Sequence, residues 1–129
     1  DIILDCSDNF ATRDLNITAS KVQSIPLVSA AAIATQGQVM SFDFRDEQSP
    51  CYGCVFPQTE EQTALNWDNA GVLSPLLGVM GSMQSLLAIN ILLGHKTGSE
   101  FIQFDGLTLM QQRFNIQKDS ECSECNRGV

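Results

Sequence analysis

At 129 residues, 43% of them hydrophobic, the chain is long enough for one domain with a real core or for part of a larger protein. Fifteen acidic against seven basic side chains leave a net charge of −8, which argues against nucleic acid or an anionic membrane surface as the main partner. Nothing in the sequence resembles a signal peptide, so a secreted disulfide framework is disfavoured.

The chain opens on Asp1 and is at once inside the apolar run Ile2-Ile3-Leu4, which suggests a piece beginning mid-protein. Residues 1–6 read as a short strand, apolar without alternation, as in a parallel sheet covered on both faces. Ser7-Asp8-Asn9 then offers a helix N-cap, and a helix over residues 10–22 would place Leu15, Thr18, Ala19 and Val22 on one face. A strand is expected at residues 26–30, and Gly37 separates the small run Ala30-Ala31-Ala32 from an alternating, antiparallel strand at residues 38–44.

From residue 56 to residue 70 the composition turns polar without periodicity, which reads as a long loop. Residues 75–93 approach membrane-spanning length, but Gln84, Asn90, glycines and serines interrupt them, so they read as a buried helix. Ser74 is its expected N-cap, Pro75 its first residue and Gly94 its stop, and His95 beyond it reads as an exposed C-terminal cation. Strands at residues 101–104 and 110–116 flank the turn-forming Asp105-Gly106.

Cys51 and Cys54 in C-Y-G-C, and Cys122 and Cys125 in C-S-E-C, share one spacing. A tetrahedral zinc needs four soft ligands, and two C-x-x-C knuckles can supply them. One shared metal would tie the end of the chain to its middle as a structural staple. Redox chemistry, two disulfides and unrelated thiols are the alternatives. A redox C-x-x-C opens a helix after a strand, whereas Pro50, Gly53, Glu121, Asn126 and Gly128 mark these pairs as turns. The fifth thiol, Cys6, ends an apolar strand and reads as a small buried side chain.

Ligands of open α/β sheets bind beyond the carboxyl ends of parallel strands, where Asp8 and Asn9 stand. A carboxylate so placed can hold Mg²⁺ on nucleotide phosphates, or can merely cap the following helix.

Taken in order, L-D-C-S-D-N-F-A-T-R-D-L-N, I-P-L-V-S-A-A-A-I, G-Q-V-M-S-F-D-F, S-P-C-Y-G-C-V-F-P, A-G-V-L-S-P-L-L-G-V-M-G-S-M-Q-S-L-L-A-I, F-D-G and C-S-E-C resemble the downstream half of a ubiquitin-activating-type adenylyltransferase of the ThiF/MoeB/HesA group. The resemblance covers almost the whole chain. It implies an α/β fold, the C-terminal half of a Rossmann-like activating-enzyme domain, with a mixed sheet, a long buried helix and a four-cysteine zinc knuckle. It also implies use of ATP and Mg²⁺ to adenylate the C-terminal glycine of a ubiquitin-like sulfur carrier of thiamine or molybdopterin type. Asp8 matches the aspartate at the Mg·ATP site and Asn9 its neighbour in the nucleotide-binding pair. Arg13 falls where the family's arginine contacts phosphate or the carrier's tail, against a plain reading as an exposed helix cation; Asn16 reads as structural. Cys51, Cys54, Cys122 and Cys125 match the family's structural zinc ligands one for one. Relatives of this kind are cytoplasmic homodimers with the nucleotide site near the subunit boundary.

Two departures limit the transfer. The family's Gly-rich phosphate loop and its ribose and triphosphate ligands lie upstream of such a segment, and no G-x-G-x-x-G occurs here, so residues 1–129 alone are expected to be inactive. Many relatives also carry a cysteine before the long helix, where this chain reads A-L-N-W-D-N-A-G-V with Trp67 in its place, so no covalent step is expected there. The competing reading is a non-catalytic, zinc-stapled module that binds a ubiquitin-like partner.

Overall fold

The computed structural model describes residues 1–56, 71–95 and 98–126. Most of the expected loop at residues 56–70, Trp67 included, lies outside the described residues. The elements run β1 (Ile3–Asp5), α1 (Phe10–Val22), β2 (Leu27–Ile33), β3 (Gln36–Phe42), α2 (Tyr52–Val55), α3 (Ser74–Leu92), β4 (Glu100–Asp105), β5 (Gln111–Asn115) and α4 (Ser123–Asn126). One sheet orders its strands β1-β2-β3-β4-β5, with β1 parallel to β2 and every later pair antiparallel. The mixed sheet expected from the alternation in the third strand is therefore present.

Strand β2 runs beyond its expected end, and Gly37 lies inside β3, where Ala32 pairs with it. The small residues serve packing. A Cβ on Gly37 would stand 2.3 Å from the Met80 sulfur of α3, so glycine here lets the helix close onto the sheet. The two-residue turn between β2 and β3 puts Ala34 in the left-handed region at φ 53°. Its N–H donates to Gly71 O and its carbonyl accepts from Leu73 N, both at 2.9 Å, which ties the turn to the entry of α3.

Two apolar clusters sandwich the sheet. Ile17, Leu27, Met40, Phe42, Phe44, Phe101, Cys51 and Cys122 fill the face under α1 and the cysteine knuckles. Val28, Val39 and Ile102 meet Leu76, Met80, Leu87, Ala88 and Ile91 of α3 on the other. The expected burial of α3 is met along that face; Leu77, Leu86, Ile89 and Leu92 on the rest of the helix are each more than half exposed. A helix apolar all round needs cover all round, and one sheet covers one side. Among the described residues α3 is the helix long and apolar enough to cross a bilayer by length and composition.

Ser74 is the first helical residue of α3 and not its cap, since Leu73 holds that position without a side-chain bond. At the other end Gly94, at φ 76°, stops the helix as expected. The face of α1 departs further from expectation. Leu15 is 70% exposed and Val22 47%, while Arg13, Ile17 and Ser20 are buried. The Arg13–Asp5 ion pair and Ile17 dock this helix, not the expected apolar face.

Candidate metal centre and active site

The one-turn helices α2 and α4 each carry a C-x-x-C pair, and their sulfurs converge. Cys51 Sγ lies 3.9 Å from Cys54, 3.7 Å from Cys122 and 3.2 Å from Cys125, with Cys54 and Cys125 at 3.4 Å. All four sulfurs fall within 4.8 Å of one another. Metal–sulfur bonds of about 2.3 Å would make tetrahedron edges of about 3.8 Å, so the cluster fits a tetrahedral cation. Neither S–S bonds nor separate thiols explain four sulfurs meeting at one point.

The electrostatics agree. Burial pushes the Cys51 thiol far above its ordinary range and Cys125 up to about 11. Burial would raise Cys54 as well, but backbone hydrogen bonds from Asp119 and Cys51 outweigh it and hold this thiol down. Four thiolates this close require a cation. Gly53 is needed where the knuckles abut, since a Cβ there would stand 2.6 Å from Glu124 Cγ. Lys21 Nζ, from the last turn of α1, donates to Glu124 O and Cys125 O at 3.1 and 3.2 Å and fastens the second knuckle to the helix.

The expected strand end is organised by a residue that sequence reasoning passed over. Asp5 is fully buried and accepts from Ser7 N and Oγ, Arg13 Nε, Asn16 Nδ2 and Ser29 Oγ at 2.6–3.1 Å. Burial alone would raise its carboxyl, but Ser7, Arg13 and Ser29, together with the Arg13 charge, hold it below its ordinary value of 3.8. The available signal was an aspartate inside an apolar strand, which cannot be buried without a partner.

Arg13 is 2% exposed, which removes its reading as an exposed helix cation. Besides the 2.8 Å pair with Asp5, its Nη2 donates to Ser7 O at 2.9 Å and Ala30 O at 3.4 Å. Tyr52 of the first knuckle links it to the metal centre: burial pushes this phenol up, and the nearby guanidinium opposes that. Asn16 is structural, as expected. Beyond this knot Asp8 and Asn9 are exposed. Asn9 caps α1 by accepting from Thr12 N at 2.8 Å and donates to Asp8 Oδ1 at 3.3 Å. The Asp8 carboxylate thus faces solvent from a rigid base.

Cys6, one residue past the end of β1, is exposed and not buried as expected; its thiol donates to Gln84 Oε1 at 3.3 Å. His95 is exposed as expected.

Residues 1–124 match the ThiF family. The chain belongs to that family. This ThiF-family chain is similar to the molybdopterin-synthase adenylyltransferase of Escherichia coli (strain K12), 33% identical over 129 residues that take in 98% of the chain and 51% of the relative. It is similar also to the sulfur carrier protein ThiS adenylyltransferase of the same organism, 37% identical over 126 residues, 97% of the chain and 49% of the relative. A Dictyostelium discoideum adenylyltransferase and sulfurtransferase is 36% identical over 130 residues, 97% of the chain and 30% of the relative. The ThiF-family chain therefore spans about half the length of the two bacterial relatives. Among solved structures, E. coli MccB with AMPCPP and MccA aligns at a TM-score of 0.74 and 12% identity, covering 98% of the chain and 40% of that structure. At that identity the likeness speaks for the fold, and it agrees with the mixed sheet and packed helices described above.

Proposed function

We propose that the protein to which this chain belongs adenylates the C-terminal glycine of a ubiquitin-like sulfur carrier, and that these residues form the downstream part of the adenylyltransferase domain. The exposed Asp8-Asn9 pair, standing on the Asp5–Arg13 knot at the carboxyl end of a parallel strand, carries the reading. Family membership and the names of the three relatives supply its chemistry.

In the reaction a carboxylate oxygen of the carrier's tail attacks the α-phosphorus of ATP. An acyl–phosphate bond forms, the bond to the bridging oxygen breaks, and pyrophosphate leaves. Attack of one anion on another is slow unless charge is neutralised. Asp8 is the residue that would hold the magnesium of Mg·ATP, and Asn9, oriented by Thr12 N, would serve the nucleotide beside it. Arg13 acts from beneath as a positioning residue, since its guanidinium is spent on Asp5 and on Ser7 O. Phosphate-binding and ribose-binding groups belong to the upstream half, because no G-x-G-x-x-G occurs in this sequence.

Zinc is the metal assigned to the four cysteines, in a structural role, because four thiolates in a closed tetrahedron leave no open position for substrate. The apolar face of α3 with Leu77, Leu86, Ile89 and Leu92 meets a second copy of the chain in a cytoplasmic homodimer. With a net charge of −8, neither nucleic acid nor membrane is assigned as a partner.

Carrier-dependent ATP–pyrophosphate exchange tests the proposal. Full-length protein exchanges and residues 1–129 alone do not; robust exchange by the latter would refute the division of the site. Asp8→Ala in the full protein slows exchange about a hundredfold or more, as expected where a metal site supplies several kcal/mol of charge stabilisation. Its melting temperature stays unchanged, because Asp8 is exposed.

A further inference from the structure

Gln84 is the polar residue in the buried stripe of α3, between Met80 and Leu87, and is 3% exposed. A glutamine in an apolar seam costs stability unless its amide is satisfied, and this one is satisfied across two strands. Its Nε2 donates to Asp5 O at 3.0 Å and to Val28 O at 2.9 Å, and its Oε1 accepts from the Cys6 thiol at 3.3 Å. Leucine or methionine would fill the same seam without this cost, so packing alone does not explain the amide.

The bonds fall at a decisive place. Strand β1 has three residues and, among the described residues, one neighbouring strand. Its last residue, Asp5, is gripped through its side chain by Arg13 and Asn16 of α1 and through its main chain by Gln84 of α3. The turn that presents Asp8 starts at the next residue, Cys6, which Gln84 also holds.

We propose that Gln84 is a positioning residue for the Asp8-Asn9 turn: it clamps the end of β1 from the α3 side and so sets the place from which Asp8 reaches the magnesium of Mg·ATP. This rests on the adenylation reading for its ligand, while the clamp itself rests on the hydrogen bonds. It also joins the turn to the helix whose outer face is the apolar surface assigned to the second subunit.

The test uses full-length, zinc-loaded protein with Gln84→Met, which keeps the volume and removes all three bonds. Leu87→Ala, on the same buried stripe, is the control for loss of packing. In Gln84→Met the apparent Mg²⁺ dissociation constant in the presence of ATP rises about tenfold, the scale of lost support behind a metal-binding carboxylate. The kcat at saturating Mg²⁺ stays close to wild type, and amide hydrogen exchange at Ser7, Asp8 and Asn9 quickens relative to amides of α3. Leu87→Ala lowers the melting temperature and leaves Mg²⁺ affinity and the relative exchange of the turn unchanged. Unchanged Mg²⁺ affinity and turn exchange in Gln84→Met, or an equal shift of both in Leu87→Ala, would overturn the proposal. Lack of pyrophosphate exchange in wild-type protein would overturn the adenylation reading instead, because amide exchange is read without catalysis.

Discussion

Stripping the metal from the four-cysteine centre abolishes cooperative unfolding of the chain. The four sulfurs belong to two one-turn helices too short to persist alone, and Cys51 and Cys122 lie in the core with Ile17, Leu27, Phe42 and Phe101. Without a cation the centre becomes a crowd of buried and half-buried thiols, two of them pushed above their ordinary range. Structural zinc sites contribute on the order of 10 kcal/mol at neutral pH, comparable with the whole stability of a domain this size. Chelation followed by calorimetry is the direct check, and Cys51→Ala or Cys122→Ala should reproduce its effect. A metal-free chain that melts cooperatively at the original temperature would rule out the staple. Zinc analysis should give about one ion per chain by the ligand count. In the loaded form Cys6 is the thiol that reacts with a thiol reagent, because it alone among the five is exposed.

Breaking the Asp5–Arg13 pair from one side has the next largest effect. Asp5→Asn leaves a guanidinium at 2% exposure without its counter-charge, and removing one partner of a buried pair costs about 3–5 kcal/mol. Arg13→Met costs a similar amount, because it leaves a buried carboxylate facing Ser7, Asn16 and Ser29 with no cation beside it. The double substitution loses less than the sum of the two, which a double-mutant cycle in urea measures directly. If the single losses simply add, the pair is not coupled and the knot is not the organiser of the strand end.

The same pair predicts an acid transition. Asp5 titrates below its unfolded value of 3.8 in the folded chain, so its contribution is fully present above about pH 4 and is lost as the pH falls through the lower, folded value. Asp5→Asn abolishes that component, and the pH profile of its urea midpoint flattens in the acid limb. Protonation of Asp5 also frees Arg13 and Ser7, so in the full protein pyrophosphate exchange should fall over the same window.

Much of the architecture was legible because local chemistry marks it. Asn9 caps α1, Gly94 stops α3 with a positive φ, and the alternation read at residues 38–44 marks the antiparallel strand, which the structure places at Gln36–Phe42. The metal centre was legible from spacing, since C-x-x-C aims two sulfurs at one point whatever surrounds it. What misled was the assumption that apolar side chains point inward. Leu15 and Val22 of α1 are exposed while Arg13 and Ile17 are buried, because the face turned to the sheet is the one that brings Arg13 to the buried Asp5 carboxylate. Cys6 departs from expectation for a related reason: it lies one residue past β1, beyond the last strand position, Asp5, that pairs with β2.

The sequence by itself determined the order of the longer elements, the four cysteines that come together, the Asp8-Asn9 pair beyond the first strand and membership of the ThiF family, all of which rest on local spacing and motif. Only the tertiary structure decided that Asp5 is the hub of the site, that Arg13 lies beneath the turn and not in front of it, and that Gln84 grips the same strand end from the opposite layer. These depend on contacts between residues as far apart as Asp5 and Gln84, 79 positions along the chain. A buried polar group is stable only where distant partners meet it, and no local pattern records where they will be.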